Sequence, residues 1–274
     1  MIKIKNNFDL NSTITCGQIF RFEVLDDGYI VILDDRIIKL TEDKDYIYIE
    51  SNNENNLKEV IKDYFDLDRN YKKIIDDISK LDETIKPALI YSAGLKMIHQ
   101  SPLITIIEYI ISQNNRVPSI KNSLNLLSEK YGDKIEFDDK DYYLFPSIDK
   151  LSKLSVSDFR ECKVGFRDKY LYEIIKSIKE NKLDINNIYK MNSDDALKYL
   201  MSFKGIGNKV ASCILLFAYQ KFDVYPIDTW VKKFMFDEYG IKEETKIREY
   251  TKKIYKEYSG LAIQYMFNYK RNSK

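Results

Sequence analysis

Between residues 13 and 51 the chain alternates apolar and polar side chains in runs broken by charged turns. QIFRFEVL is followed by Asp26-Asp27-Gly28, YIVIL by Asp34-Asp35, and IIKL by an acidic stretch at 42–45 that leads into YIYIE. A period of two interrupted by such turns predicts an antiparallel meander. From Asn56 the period lengthens. Leu57, Val60, Ile61, Tyr64 and Phe65 fall on one helical face, and Ile74, Ile75 and Ile78 mark a second, short helix. A domain boundary is placed near residue 85, although no Pro- or Gly-rich linker marks it.

Everything beyond that point reads as helical. Ser101-Pro102 offers an N-cap and a proline at the first helical position, opening LITIIEYIISQ, which ends at Asn114-Asn115. Pro118 starts another helix, closed by Tyr131-Gly132. Phe145-Pro146-Ser147 is a loop, a helical pattern covers 149–154, and Ser157 caps a short helix that stops near Val164-Gly165. Helical spacing then returns over 169–178. After Tyr225-Pro226-Ile227-Asp228 comes a helix carrying Trp230 and Phe234, and two last helices, 243–258 and 261–269, are separated by Ser259-Gly260. The predicted class is α+β: an N-terminal antiparallel β-sheet domain with short helices over 1–85, then an all-α domain over 86–274.

Within that domain, residues 196–217 form a distinct unit. Ala196, Leu197, Leu200 and Met201 lead into Lys204-Gly205-Ile206-Gly207, and a second amphipathic pattern begins at Val210 and Ala211. Two glycines around one apolar residue permit a tight reversal, with the isoleucine plugged between the helices. Free N–H groups and the helix dipole then favour an anion at the second helix start. This is a helix–hairpin–helix suited to gripping a DNA phosphate through the main chain.

The bulk numbers narrow the field. Lys+Arg of 44 against Asp+Glu of 43 leaves a formal charge of +1, so DNA contact rests on a local patch and backbone dipoles. The three cysteines, Cys16, Cys162 and Cys213, are scattered and make neither a four-cysteine cluster nor a disulfide framework. A single histidine, His99, excludes most histidine metal sites and reads as structural or phosphate-adjacent, near the end of a helix. No triad, zinc spacing or P-loop exists, and no cofactor is expected. No signal peptide, transmembrane run or lipidation motif is present, so the expected protein is cytoplasmic, nucleoid-associated, free of membrane and monomeric.

Two residues carry the candidate chemistry. Lys209 lies one residue inside the second hairpin helix, where the dipole and an apolar surrounding both disfavour the ammonium form. A neutral amine there could attack a sugar C1′; the plain alternative is a solvated lysine or one touching a phosphate. Asp228 stands where an N-capping carboxylate belongs, before Thr229-Trp230-Val231. It serves either as that cap alone or also as a carboxylate facing the lysine. One helix and a return loop separate the two, so their helix N-termini can sit side by side.

The hairpin IGNKVA followed by Tyr225-Pro226-Ile227-Asp228 resembles the helix–hairpin–helix DNA glycosylases of the endonuclease III class, and within it the 8-oxoguanine DNA glycosylases with abasic-site lyase activity, of bacterial type. GQIFRF at 17–22 resembles the family's GQ-x-FRW, YFDLD at 64–68 its YF-x-LD, and Gln113-Asn114-Asn115 its SNN. Phe145-Pro146-Ser147 matches its FPS and GFRDKY at 165–170 its GYRARY. These matches run in order along nearly the whole chain. The resemblance implies an enzyme that flips 8-oxoguanine out of duplex DNA, excises it through a Lys209 Schiff base supported by Asp228, and nicks the strand by β-elimination. It also implies that Cys213 lies against one face of the flipped base, Phe267 stacks on it, and the Gly17 carbonyl accepts the N7–H that guanine lacks. Asn114, with Asn115 in the same DNA-contacting stretch, would fill the vacated space; Arg167 would hold the orphaned cytosine and Phe166 would wedge beside it. Gly205, Gly207 and Lys204 would meet phosphate, and carbonyls of Met201, Phe203 and Ile206 could hold a monovalent cation.

Three departures stand out. Lys204 replaces the usual hairpin proline, which loosens the turn but adds a phosphate-seeking charge. Ile263 occupies the place of a glutamine that would read the lesion's Watson–Crick edge. Gln264 is one residue off, a rotation of about 100° on a helix, and substitutes only if the last helix begins differently. Ser119 stands where a second arginine would grip cytosine, which predicts relaxed opposite-base specificity. The competing readings are a non-enzymatic helix–hairpin–helix DNA-binding protein and a monofunctional alkylbase DNA glycosylase, which would keep the aspartate without a catalytic lysine.

Overall fold

The computed structural model describes residues 1–273. Its N-terminal part is a five-stranded antiparallel sheet of β1 (Ile2–Lys5), β2 (Phe22–Val24), β3 (Gly28–Ile32), β4 (Ile37–Glu42) and β5 (Tyr46–Ser51), with α1 (Leu10–Thr15) between the first two strands. The order β1-β5-β4-β3-β2 puts β1 on the edge, where Ile2 pairs with Ile49 and Ile4 with Ile47. The predicted meander is β2 to β5, with Val24 opposite Tyr29, Tyr29 opposite Leu40 and Leu40 opposite Ile49. Alternation sends Val31, Ile38, Leu40, Ile47 and Ile49 to one face, against Leu10 and Ile14 of α1 and Leu57 and Ile61 of α2 (Leu57–Tyr64).

The run QIFRFEVL is a strand only at its end. Gly17 has φ +91, and the buried Gln18 bonds to residues 96–98 instead of a neighbouring strand, so pairing starts at Phe22. β1 lies ahead of the alternating stretch, whereas α1 runs into its start, so residues 13–15 are helical where the pattern predicted strand; Asp9 caps α1 by accepting the Ser12 N–H at 2.7 Å.

The remainder is mostly helical: α3 (Tyr71–Leu81), α4 (Lys86–Tyr91), α5 (Pro102–Ser112) and α6 (Val117–Tyr131) come first. A two-stranded hairpin then follows, β6 (Lys134–Phe137) and β7 (Lys140–Tyr143), where the hydropathy pattern predicted only helix. Asp138 and Asp139 both adopt positive φ, 55° and 57°, the pair that a two-residue hairpin turn requires. Short charged strands hide their periodicity, but Tyr142 is buried with Ile30 and Ile37, and Ile135 and Phe137 pack beside them on the outer face of the sheet. Next come α7 (Ile148–Leu151), α8 (Val156–Glu161), α9 (Asp168–Lys179), α10 (Ser193–Met201), α11 (Asn208–Tyr219), α12 (Thr229–Tyr239), α13 (Glu244–Tyr255) and α14 (Ser259–Asn272). Ser155, not Ser157, caps α8 in a reciprocal capping box with Asp158. Ser259 and Gly260 do not separate the last helices but form the first turn of α14, where a Cβ at Gly260 would come 2.6 Å from Leu216 Cδ1.

The helical core centres on α5 and α11, both buried almost throughout, with Tyr109 stacked on Phe217 at 5.5 Å between ring centroids. This core takes in Tyr71, Ile74 and Ile78 of α3, which precedes the expected boundary near residue 85. No helix among the described residues is long and apolar enough to cross a membrane.

One carboxylate fastens the outer helices. Asp82, at the end of α3, accepts hydroxyls from Tyr239 at 2.7 Å, Tyr250 at 3.0 Å and Tyr255. Burial opposes its charge, yet those hydroxyls and the Thr84 N–H hold its carboxyl below the usual range. Asp82→Asn is expected to cost roughly 2 kcal/mol at neutral pH, measured by urea denaturation. Because the folded pKa is depressed, that contribution is present above the unfolded value and disappears as pH falls through the folded one. The gap between variant and wild type therefore closes in acid.

Candidate active site

The turn between α10 and α11 divides its work between its two glycines. Gly205 has φ +93 and lies against Tyr170, whose Cγ would be 2.6 Å from an added Cβ. Gly207 is the N-cap of α11 with extended backbone, and nothing lies within 4 Å of the place a Cβ would take. The first glycine makes the reversal; the second leaves the α11 N–H groups open to an approaching anion. Ile206 is buried between the helices as its spacing predicts, and Lys204 is exposed. Of the carbonyls named for a cation, Phe203 accepts the Ile206 N–H at 3.1 Å, while Met201 and Ile206 bracket the same turn.

Asp228 caps α12. Its Oδ1 accepts the N–H groups of Trp230 and Val231, each at 2.9 Å, and its Oδ2 takes no part in the cap. Lys209, at the second position of α11, and Asp228 open on one cleft of about 490 Å³. Lys209 is exposed and Asp228 half-buried. Cys213, one turn beyond Lys209, forms buried wall; burial pushes its thiol up to about 12, against the nearby ammonium and with the nearby carboxylate.

The facing wall comes from both parts of the chain. Gly17 lies beside Phe267 and Arg271, and Ile263 and Gln264 also line the cleft. Gln264 is 4% exposed and donates to Cys16 Sγ at 3.5 Å, while Ile263 is 1% exposed. Asn114 and Asn115 stand at the cleft edge where α5 ends. Asn114 holds φ 47, a left-handed conformation that asparagine tolerates better than most residues.

Ser119, Phe166 and Arg167 lie outside this cleft, as do the hairpin residues Lys204, Gly205 and Gly207. Ser119 is exposed in the first turn of α6. Phe166 is 58% exposed on a short 3-10 turn (Gly165–Arg167), unlike a core aromatic. Arg167 is buried beneath it, its guanidinium 4.4 Å from the ring centroid, and makes four hydrogen bonds to carbonyls of Val164, Gln113 and Asn114. Gln113 in turn donates to the Gly205 carbonyl at 2.9 Å, tying the Asn114 loop to the hairpin.

Three contributors escaped sequence reasoning. Gln18, within the GQIFRF motif, is wholly buried and fixes the segment that carries Gly17. Trp230 is 38% exposed at the cleft. Arg271 follows Ile263 and Phe267 at intervals of four on α14, a spacing legible in the sequence once Phe267 is singled out. His99 sits in the extended connection between α4 and α5, not near a helix end. There it faces Asp63 at 3.1 Å, in a separate pocket of about 280 Å³ with Arg21 and Glu108. Burial pushes the Glu108 carboxyl up to about 8. Among the described residues no group of three or more His, Cys, Asp or Glu could hold a metal ion.

A lysine and a capping carboxylate on neighbouring helix N-termini, one belonging to a helix–hairpin–helix, define the class of helix–hairpin–helix DNA glycosylases. Residues 1–106 match the family model of the 8-oxoguanine DNA glycosylase N-terminal domain. The whole fold superposes on the 8-oxoguanine glycosylase/lyase of Clostridium acetobutylicum, solved with double-stranded DNA containing cytosine opposite 8-oxoguanine. The TM-score is 0.93 at 36% identity, over 98% of this chain and 93% of that one. A probable N-glycosylase/DNA lyase of Methanothermobacter thermautotrophicus is 28% identical over 79% of this chain and 76% of its own length. The N-glycosylase/DNA lyase of Saccharomyces cerevisiae is 27% identical over 77% of this chain and 58% of its own. The chain belongs to the 8-oxoguanine DNA glycosylase/lyase family.

The glycine geometries separate two effects. Gly205→Ala forces a side chain into positive φ and into Tyr170, and should cost about 2 kcal/mol. Gly207→Ala meets no atom and should cost less than about 1 kcal/mol, the difference between glycine and alanine at an N-cap. Thermal denaturation of both variants checks the contrast.

Proposed function

We propose that this protein excises 8-oxoguanine from duplex DNA and then nicks the strand, as a bifunctional N-glycosylase and abasic-site lyase. The observation that carries the proposal is the meeting of Lys209 and Asp228 in one cleft, in a chain of this family. In this reading Lys209 Nζ attacks C1′ of the extruded nucleotide, and the base leaves with the glycosidic electron pair and takes up a proton. The attacking nitrogen loses a proton, and the C1′–O4′ bond then breaks with its electron pair going to O4′, which is protonated, leaving a Schiff base between Nζ and C1′ of the opened sugar. This acidifies the C2′ hydrogens, and loss of one of them expels the 3′-phosphate by β-elimination. Asp228 Oδ2, free of the cap bonds, supports the lysine and the positive charge that builds on the sugar ring.

The flipped base lies between Cys213 and Phe267, with its N7–H on the Gly17 carbonyl. Burial keeps Cys213 a neutral thiol that can contact a base face without adding charge. Asn114, presented at the cleft edge in a left-handed turn, fills the gap in the duplex, with Asn115 beside it. Exposed Phe166 wedges next to it, and Arg167 serves the orphaned cytosine while holding the Asn114 carbonyl. Gly205, Gly207 and Lys204 grip phosphate at the bare start of α11, where the carbonyls of Met201, Phe203 and Ile206 are suited to a monovalent cation. The enzyme works as a monomer in the cytoplasm, at the nucleoid.

Borohydride trapping on duplex DNA with one 8-oxoguanine opposite cytosine tests the central assignment. A covalent adduct is expected with wild type and not with Lys209→Gln. Base release without an adduct in wild type would point to a monofunctional enzyme led by Asp228; neither product would leave a DNA-binding protein or an enzyme for another lesion. Opposite-base preference follows from Ser119: Ser119→Arg is expected to sharpen selection of cytosine over adenine by about tenfold, the worth of one bidentate contact. Single-turnover excision opposite each base measures it.

A further inference from the structure

The last helix places an arginine in the cleft, against Gly17. Ile263, Phe267 and Arg271 repeat at intervals of four on α14, and all three line the cleft that holds Lys209. Ile263 is apolar and buried, so the helix offers no donor there. Two turns on, the Arg271 guanidinium lies against Gly17, close enough that a Cβ on that glycine would collide with Nη1, and 5.6 Å from the Phe267 ring centroid. The neighbouring Lys270 pairs with Asp237 at 2.6 Å, whereas no carboxylate among the described residues reaches Arg271. A half-buried cation that faces the cleft against Gly17, with no carboxylate partner among the described residues, has donors free for a ligand.

We propose that Arg271 is a specificity-determining residue that donates to a carbonyl oxygen flanking N7–H of 8-oxoguanine. This rests on the reading above, in which the Gly17 carbonyl accepts that N7–H. The Hoogsteen edge of 8-oxoguanine runs acceptor, donor, acceptor through O6, N7–H and O8. An acceptor at Gly17 with a guanidinium donor beside it is complementary to two adjacent groups of that edge. Guanine offers O6 and an N7 that is itself an acceptor, so the Gly17 carbonyl would face a lone pair while Arg271 alone bonded. Recognition then rests on the Hoogsteen edge, since Ile263 offers no polar group and Gln264 Nε2 is engaged with Cys16 Sγ.

The test compares wild type, Arg271→Met and Arg271→Lys on two duplexes, one with 8-oxoguanine opposite cytosine and one with a preformed abasic site. Base release is read by alkaline cleavage under single turnover, independently of Lys209 chain cleavage, and abasic nicking is read directly. The expected result for Arg271→Met is a fall of roughly ten- to a hundred-fold in base release, the worth of one charged hydrogen bond. Abasic nicking should be unchanged, because that substrate has no base to read, and Arg271→Lys should recover part of the release. A parallel fall in both reactions would overturn the proposal in favour of a phosphate contact or a folding defect. No change in either would also overturn it. If wild type releases base but traps no borohydride adduct, the lysine assignment fails while the Arg271 comparison keeps its meaning.

Discussion

The side chain of Gln18 is the joint on which the cleft depends. Its Nε2 donates to the carbonyls of Thr13 at 3.2 Å and Lys96 at 2.7 Å, and its Oε1 accepts the Ile98 N–H at 2.8 Å. Its own carbonyl accepts Gln100 Nε2 at 2.8 Å and the Tyr109 hydroxyl at 3.2 Å. A fully buried amide is stable only when its donors and acceptors are satisfied, and here the partners come from both the N-terminal segment and the helical core. The network admits one placement of the chain around Gly17. That is how a loop at the start of the polypeptide becomes the wall opposite Lys209.

A second set of main-chain clamps does the same at the other edge. Arg167 holds the carbonyls of Gln113 and Asn114, and Gln113 holds that of Gly205. The left-handed Asn114, the exposed Phe166 and the hairpin are thereby tied together through backbone atoms, which are insensitive to the identity of the side chains around them. With a formal charge of only +1, the chain has no broad basic field, but Lys204 and Lys209 are both exposed at the start of α11.

Much of this was legible from the residues. The turn at 204–207, the cap at Asp228 and the helix that begins at Asn208 follow from local chemistry: positive φ at a glycine, a carboxylate before a helix, apolar residues at helical spacing. The meander from β2 to β5 follows from alternation with charged turns. The hairpin of β6 and β7 did not show, because its short strands carry few apolar residues and owe their place to the outer face of a sheet far away in sequence. Nor did the early start of α14, where Gly260 reads as a breaker but is required by close contact with Leu216 and Val224.

What the sequence determined by itself is the set of local structures and the identity of the reactive groups: where helices start, where the chain reverses, and that a lysine and a carboxylate stand at two such starts. Tertiary structure decided which of these face each other. Gly17 and Arg271 lie at opposite ends of the chain, and nothing in either neighbourhood specifies their contact. It arises from burial of Gln18 and from the packing of α14 on the helical core, both sums over many distant residues. Local propensity is written in a few neighbouring side chains, whereas the wall of a cleft is set by how whole elements pack.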